Sequence, residues 1–197
     1  MEDLHMLTDE QLVKRFVSGC NEAFDILLLR HKDKLYSYIL YIVRNNDVAD
    51  DLFQETFLKA IMTLRQGRYK ETGKFFAWLT RIAHNLLIDQ FRNEKTEALI
   101  YDNEAEAAWR EGALLADTSR EGELVREQVL NDVRRLMDHL PASQREVVFM
   151  RFYQDLSFKE ISEITGVSIN TALGRMRYAI MNMRKMAELN HISLAIE

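Results

Sequence analysis

Apolar side chains recur at steps of three and four residues along most of the chain, and this spacing predicts α-helices. Thr8 and Gln11 form a capping-box pattern at the start of the first helix, and Gly19 marks its end. Residues 66–73 hold two glycines and no apolar period, so they predict a loop. The helices predicted in the first 95 residues cover about 9–18, 21–45, 48–65 and 74–92, with Asp47 as the N-cap of the third.

Residues 96–118 differ in character, because they are rich in Ala and Glu and have only weak periodicity. We interpret them as a mobile acidic linker with transient helix around 105–115. Trp109 and the pair Leu114 and Leu115 leave open the alternative of a helix that docks on a neighbour.

The first helix after this linker is predicted over about 119–139, and Pro141 marks the break that follows it. Ser143 and Glu146 form a capping-box pattern, which predicts the start of the next helix. The apolar positions of that next helix continue to Phe152.

A helix-turn-helix pattern comes next. Ser157 and Glu160 open a short helix that stops at Gly166, and Ser168 caps a long last helix. Gly166 suits the turn because the residue there must accept a left-handed backbone. A small apolar wedge between the two helices is predicted from Ile161, Ile164, Val167, Ala172 and Met176.

The last helix carries side chains that suit nucleic acid. Residues 168–187 hold four basic side chains and no acidic one. The second helix of such a motif can place its N-terminal end and outer face in a major groove. An ordinary helical hairpin that packs on another element is the alternative. The candidate DNA contacts are Ser168, Asn170, Thr171, Arg175 and Arg177.

Composition narrows the class of protein. Of the 197 residues, 47% are hydrophobic, which is enough to bury a core, and a single Pro with seven Gly favours long helices. One cysteine, Cys20, excludes an internal disulfide and a cysteine-cluster zinc site, and no other metal or cofactor is expected. No signal-peptide pattern and no bilayer-length apolar stretch is present, so we expect a cytoplasmic protein without membrane insertion.

Charge is segregated along the chain, although the net charge is only −5. Residues 65–95 hold seven basic and three acidic side chains, whereas residues 97–127 hold three basic and nine acidic ones. Together with the acid-free last helix, this order indicates two anion-facing surfaces on either side of an acidic connector. Charges that only decorate helix exteriors are the alternative.

The predicted loop and fourth helix combine cations, aromatic rings and an amide. An unstacked base needs a ring to stack on, a charge for its backbone and a hydrogen-bonding edge. For Phe76, Trp78 and Phe91, plain core packing is the alternative. The candidate contacts to single-stranded bases are Arg68, Tyr69, Lys70, Lys74, Arg81, Asn85 and Arg92.

Two stretches resemble a known protein family. Region 2 of bacterial sigma factors resembles residues 74–92, KFFAWLTRIAHNLLIDQFR, together with residues 47–57, DVADDLFQETF. Region 4 of the same proteins is similar to residues 140–177. The order, the spacing and the acidic linker resemble the extracytoplasmic-function (ECF) type, which keeps only these two domains.

The resemblance implies an all-α protein of two small helical domains joined by an acidic linker. Region 2 would cover 8–95, the linker 96–118 and region 4, with its helix-turn-helix, 119–187. Such a protein binds core RNA polymerase, directs it to promoters and helps to melt the DNA, without catalysis of its own. The family also implies an anti-sigma factor that holds the protein inactive.

The resemblance further implies roles for particular residues. The loop from Arg68 to Lys74 would receive a flipped base of the minus-ten element, and Asn85 would contact that element. Region 4 would read the minus-thirty-five element as duplex and touch the β flap of the polymerase. Docking on the clamp helices of the β′ subunit would fall to Asp50, Asp51, Gln54 and Glu55.

One departure and two rival functions accompany the resemblance. Leu173 and Gly174 stand where the family often has a basic residue followed by a small polar one. A repressor or activator that binds duplex DNA alone is one rival, but it would not need a base-receiving loop or an acidic docking surface. An enzyme is the other, but His84 and Asp89 lie five residues apart and do not share a helix face.

Overall fold

The computed structural model describes residues 4–70, 72–101, 132–190 and 192. The chain divides into two compact units, Met1–Gly112 and Ala113–Glu197. Every regular element among the described residues is a helix, as the sequence predicts. No described helix is both long and apolar enough to cross a bilayer.

The first unit packs four α-helices around one core. The second and third of these helices, α2 (Asn21–Val43) and α3 (Asn46–Arg65), pack on each other, and each also contacts α1 and α4. The helices agree with the sequence prediction to within a few residues, except at the end of the fourth. The elements are a 3₁₀ turn at Leu4–Met6, α1 at Asp9–Val17, α2 at Asn21–Val43, α3 at Asn46–Arg65 and α4 at Phe75–Tyr101.

Hydrogen bonds at the start of α1 confirm the predicted capping box. The backbone N–H of Gln11 donates to Thr8 Oγ1 at 3.4 Å, and the backbone N–H of Thr8 donates to Gln11 Oε1 at 2.9 Å. After the helix ends, Gly19 has a φ of 105°, a conformation that glycine adopts without strain. The chain therefore reverses into α2 where the sequence predicts.

Asp9, at the start of α1, ties this helix to α2. Arg30 Nη1 donates to Asp9 Oδ1 at 2.9 Å, and His31 Nε2 lies 2.6 Å from Asp9 Oδ2. Partial burial acts to raise the pKa of Asp9, but hydrogen bonds and charges from His31 and Arg30 outweigh it and lower the pKa below its ordinary value. The carboxylate form is thus favoured at this contact.

The junction between α2 and α3 corrects the sequence prediction. The N-cap of α3 is Asn45 and not Asp47, since Asn45 Oδ1 accepts hydrogen bonds from the backbone N–H groups of Asp47 at 2.9 Å and Val48 at 3.3 Å. Arg44 takes a left-handed conformation with a φ of 54°, which ends α2 immediately before Asn45. Asp47 lies instead in the first turn, where a carboxylate interacts favourably with the helix dipole.

Helix α4 also corrects the prediction, because it continues to Tyr101 and not merely to about Arg92. Residues 93–101 contain no glycine or proline and include several strong helix formers, which sustain a helix after the apolar period fades. The first residues of the predicted linker, 96–101, are therefore helical. The segment around Trp109, for which transient or docked helix is predicted, lies outside the described residues.

Aromatic rings make up much of the core of the first unit. The ring centroid of Phe24 lies 4.9 Å from that of Phe16 and 6.1 Å from that of Phe57. Tyr38 Oη lies 3.3 Å from His84 Nδ1, so these two buried polar groups satisfy each other. His84 is therefore a core residue. Buried aliphatic side chains between the helices include Leu27, Leu35, Ile39, Leu64, Leu79 and Leu87.

In the second unit, too, every regular element among the described residues is a helix. Helix α8 packs against both α6 and α7. The end of the helix predicted over 119–139 is confirmed by α5, whereas 119–131 lie outside the described residues. The described elements are helical residues 132–138, here α5, followed by α6 at Ala142–Phe152, α7 at Phe158–Thr165 and α8 at Ile169–Leu189.

The start of α6 is a further correction. The helix begins at Ala142 with Pro141 as its N-cap, and no side chain caps it, so the box predicted from Ser143 and Glu146 is wrong. The carbonyl of Pro141 accepts from the backbone N–H of Arg145 at 3.0 Å. Pro141 ends the preceding segment as predicted, and its restricted φ of −52° already suits a helix entry. Ser143 consequently falls inside the first turn.

The helix-turn-helix elements follow the predicted order. Ser157 and Glu160 form a complete capping box, in which the backbone N–H of Ser157 donates to Glu160 Oε2 at 2.8 Å. Gly166 ends α7 in the left-handed region with a φ of 69°. Ser168 caps α8 by accepting from the backbone N–H of Thr171 at 3.0 Å. Each of these contacts is local in sequence, so each was predictable.

Candidate nucleic-acid interfaces

One side of α4 collects most of the predicted base contacts of the first unit. Arg81, Asn85 and Arg92 are exposed there, whereas Lys74 and Trp78 are half-buried. Steps of three, four and seven residues place Trp78, Arg81, Asn85 and Arg92 on one side of the helix. Lys74 directly precedes the helix, and its carbonyl accepts from the backbone N–H of Trp78 at 3.1 Å. We call this surface the α4 face: Lys74, Trp78, Arg81, Asn85 and Arg92.

The loop between α3 and α4 lies back on the α4 face. The ring centroid of Tyr69 is 4.5 Å from that of Trp78 and 6.1 Å from that of Phe75. Arg68 and Lys70, on either side of Tyr69, are exposed. The structure therefore places two cations next to a cluster of aromatic rings.

The opposite side of α4 is held by the core. Leu79 and Leu87 are buried, and the buried His84 meets Tyr38 of α2. Phe76 stacks on His31 at 5.2 Å between ring centroids, as the core-packing alternative predicts. The position of the α4 face is thus fixed by contacts of α4 with α2 and α3.

Arg92 lies at the far end of the α4 face, beside an acidic residue. Its Nη1 atom is 3.7 Å from Asp89 Oδ1, and both side chains are mostly exposed. An exposed pair of this kind contributes little to stability, but it offsets positive charge locally. Sequence reasoning did not place Asp89 on this surface, although its spacing of four residues from Asn85 could have done so.

The predicted docking residues form an exposed patch on α3, here called the acidic patch. A hydrogen bond to Asp50, together with some desolvation, raises the pKa of Tyr36. Glu55 Oε1 lies 3.0 Å from Lys59 Nζ one turn further along α3. The acidic patch consists of Asp50, Asp51, Gln54 and Glu55, all of them exposed.

Two exposed apolar side chains that sequence reasoning missed extend the acidic patch. Leu58 is 60% exposed and Met62 is 58% exposed. They follow Asp51 by seven and eleven residues, so the three share one side of α3. Each comes directly after an apolar residue, Phe57 or Ile61, and the three- and four-residue spacing of Phe57, Ile61 and Leu64 predicts that these apolar residues face the core. That offset could have shown that Leu58 and Met62 face outward.

The predicted contacts of α8 separate into two stripes on the helix. Asn170 and Arg177, seven residues apart, are exposed on one stripe. Ser168, Thr171 and Arg175 lie on the other, at steps of three and four residues, and Arg175 is half-buried. The hydroxyl oxygens of Ser168 and Thr171 are 2.8 Å apart, so this pair is engaged in the helix cap.

The inner side of α8 confirms most of the predicted wedge. Ala172 and Met176 are buried against the rest of the unit, as are Ile161 and Ile164 of α7. Val167, in the turn, is only half-buried. Small buried side chains allow helices to approach closely, which fits the packing of α8 on both α6 and α7.

The α4 face and the outer side of α8 both carry cations and hydrogen-bonding groups that can bind a polyanion. The α4 face also offers aromatic rings on which a base can stack. Within the described part of the chain, no three His, Cys, Asp or Glu side chains lie together as a metal site would require. The polar groups of the α4 face and of the outer side of α8 are cations, amides and, on α8, the hydroxyls of Ser168 and Thr171.

Comparison with known proteins identifies both units. A family model for Sigma-70 region 2 matches residues 27–97, and a model for Sigma-70 region 4 matches residues 130–176. The first match contains the α4 face and the acidic patch. The second ends at Met176 and contains α6, α7 and the first part of α8.

Full-length relatives and a solved structure agree with these matches. The ECF RNA polymerase sigma factor SigW of Bacillus subtilis is 30% identical over 179 residues, covering 88% of this chain and 93% of that protein. The ECF RNA polymerase sigma-E factor of Escherichia coli K12 is 31% identical over 174 residues, covering 86% and 89%. The sigma factor RpoE of Bartonella quintana, solved with the anti-sigma factor NepR, has a similar fold, with a TM-score of 0.65 and 23% identity over 84% of this chain and 96% of that one. The chain therefore belongs to the ECF family of RNA polymerase sigma factors.

Proposed function

We propose that this sigma factor binds core RNA polymerase, directs it to promoters and helps to melt the DNA, without catalysis of its own. The observation that carries the proposal is the pair of cationic surfaces, one on α4 and one on α8. The region 2 match covers most of α4, and the region 4 match covers the first part of α8. A protein that bound only duplex DNA would need the α8 surface alone.

In the proposed mechanism, the first unit holds a single-stranded base of the minus-ten element. Tyr69 and Trp78 offer ring surface, and Arg68 and Lys70 offer charge for the adjoining phosphates. Stacking on aromatic side chains contributes about 1–3 kcal/mol per base, which helps to offset the cost of unpairing. Asn85 can both donate to and accept from a base edge, and it is exposed on the same face.

The second unit, by contrast, is proposed to bind the minus-thirty-five element as intact duplex. Its outward α8 side chains can enter a major groove, where Asn170 and Arg177 would meet base edges. Arg175, on the neighbouring stripe, would contact phosphate. The absence of acidic side chains from 168–187 supports this role because it leaves the attraction to phosphate unopposed.

Contacts with the polymerase are assigned to other surfaces. The acidic patch, continued by Leu58 and Met62, is proposed to dock on the clamp helices of β′. An apolar centre beside charged side chains is typical of protein interfaces. For the second unit, the proposed polymerase contact is the β flap, for which Phe152 at the end of α6 offers an aromatic side chain that is 65% exposed.

Control by an anti-sigma factor is part of the proposal. The structure of Bartonella quintana RpoE holds a sigma factor together with an anti-sigma factor, and its fold resembles that of this chain. Such a partner would keep the sigma factor from the polymerase until a signal releases it. Since promoters and polymerase share the cytoplasm, we propose that compartment as the site of action.

Run-off transcription with core RNA polymerase and a library of promoter DNA tests the function directly. We expect selective initiation from a subset of templates only when this chain is present. Asp51→Arg should reduce this selective initiation because it disrupts the acidic patch. Asp33→Arg, at an exposed position on α2, should leave it unchanged. No gain in selective initiation on any template would overturn the proposal, and tight footprinting of duplex DNA by the chain alone would favour a repressor.

A further inference from the structure

Several exposed apolar side chains of α8 have no part in the proposed function, and Leu173 and Ile169 are the two near its N-terminal end. Leu173 is 44% exposed, and Ile169, one turn earlier, is 45% exposed. The buried side of α8 is formed by Ala172, Met176 and Ala179. Leu173 therefore exposes a large apolar side chain next to the buried side of α8 and is not part of the core.

Leu173 occupies a defined place among polar contacts. It follows Asn170 by three residues and precedes Arg177 by four, so the three form one stripe. An apolar side chain at the centre of a DNA-facing stripe needs an apolar partner in the groove. The 5-methyl group of thymine is the one such group that bases present in the major groove.

Gly174, the next residue, has no explanation inside the unit. Glycine in a helix interior is less stable than alanine. An ideal Cβ added at Gly174 would meet nothing within 4 Å, and its φ is not in the left-handed region, so neither packing nor backbone conformation requires glycine. A missing side chain does allow a helix backbone to approach a ligand closely.

We propose that α8 reads a thymine of the minus-thirty-five element, here also called the upstream element, through contact of Leu173 with the 5-methyl group. Gly174 permits the close approach that this contact requires. The inference rests on the proposed function, because it assigns specificity to the duplex-binding surface of the sigma factor. It also predicts that Asn170, on the same stripe, reads a neighbouring adenine, for which asparagine is the matching side chain.

Replacement of thymine by deoxyuridine tests the methyl contact, since it removes that group and leaves the pairing unchanged. The assay measures binding of reconstituted holoenzyme to a promoter selected in the run-off experiment, with each upstream thymine replaced in turn. We expect one position at which the replacement weakens wild-type binding about fourfold, the effect of one buried methyl group. Leu173→Ala should bind both templates equally. Leu189→Ala, an exposed leucine at the end of the same helix, should discriminate as the wild type does.

A second variant measures the role of Gly174 independently. Gly174→Ala should raise the melting temperature of the second unit in the full chain by about 2–8 °C, because it favours the helix. The same variant should weaken holoenzyme binding to the upstream element at least about threefold. Stability and binding therefore move in opposite directions, which a purely structural role would not produce.

Three results would overturn the inference: no upstream thymine matters, Leu173→Ala still discriminates thymine from uracil, or Gly174→Ala binds as the wild type does. Each of these, obtained together with selective initiation, leaves the proposed function standing. Loss of selective initiation on all templates overturns both proposals. The two failures are therefore distinguishable.

Discussion

The two candidate DNA-binding surfaces differ in their relation to the cores beneath them. On the α4 face, Trp78 packs against Tyr69 and Phe75, and Phe75 is almost fully buried. The rings available to a base therefore also hold the unit together. On α8, the outward Asn170 and Arg177 lie opposite the buried Ala172 and take no part in the core.

The chemistry of the proposed targets explains this difference. An unpaired base offers a flat π surface on which aromatic side chains stack, and such side chains also favour burial. An intact duplex offers phosphates and base edges, which polar side chains contact while they remain hydrated in the free protein. We therefore expect binding and stability to be coupled in the first unit and separable in the second.

The largest predicted effect tests the coupling in the first unit. Trp78→Ala should lower the free energy of unfolding by about 2–3 kcal/mol, less than for a fully buried tryptophan because the ring is half-buried. The same change should weaken promoter opening. Chemical denaturation followed by circular dichroism measures the first effect. If the variant kept the wild-type free energy of unfolding but lost promoter opening, the Trp78 ring would serve DNA binding alone. Binding and stability would then not be coupled in the first unit.

A smaller effect is expected at Asn85, the exposed amide of the α4 face. Asn85→Ala should slow formation of the open complex about tenfold, while binding to core polymerase stays unchanged, because a base contact is lost and no packing is. Permanganate reactivity of unpaired thymines measures opening. Asn93→Ala changes another exposed asparagine of α4 and serves as the control. Equal losses in opening and in core binding would contradict the base-contact role.

In the second unit, the turn is expected to govern stability more than the outer surface does. Gly166→Ala should cost about 1 kcal/mol, because alanine must adopt the left-handed backbone with a φ of 69°. Thermal unfolding of the full chain measures this change. A neutral result would mean that the turn can rearrange without cost.

The smallest stability effect is expected from Arg175→Ala. Loss of one phosphate contact should reduce the slope of log binding constant against log salt by about 0.9. Because Arg175 is half-buried, its replacement also removes some packing, and the free energy of unfolding should fall by about 0.5 kcal/mol, less than for Gly166→Ala. Binding titrations at several salt concentrations give the slope. An unchanged slope would remove Arg175 from the phosphate contacts and leave Arg177 as the stronger candidate.

Local contacts explain which parts of the fold were predictable. The boxes at Thr8 and Ser157 and the turn at Gly166 each involve residues a few positions apart. Prediction failed where two nearby residues could each be the N-cap of a helix. Asn45 and not Asp47 caps α3, and Pro141 and not Ser143 is the N-cap of α6. It also failed at the end of α4, where helix-forming residues continue after the apolar period stops.

The candidate surfaces show the same division. Charge and residue type in the sequence already identified Arg68, Asn85 and Arg177 as candidates. Only the fold placed the Tyr69 ring against Trp78. The contact of Tyr69 with Trp78 depends on how a loop returns to a helix, which spacing along the chain does not encode. The exposure of Leu58 and Met62 beside the acidic patch was missed, although their positions relative to the apolar residues of α3 indicate it.

By itself, the sequence determined the helical class and the helix-turn-helix, because periodicity and capping act over a few residues. The two units and the family followed from the resemblance of its motifs to sigma-factor regions 2 and 4. The tertiary structure alone decided which helices meet and how the loop between α3 and α4 returns onto α4. It thereby joined the rings of the α4 face to the core. Packing between distant segments sets these contacts, so no local pattern could have fixed that outcome.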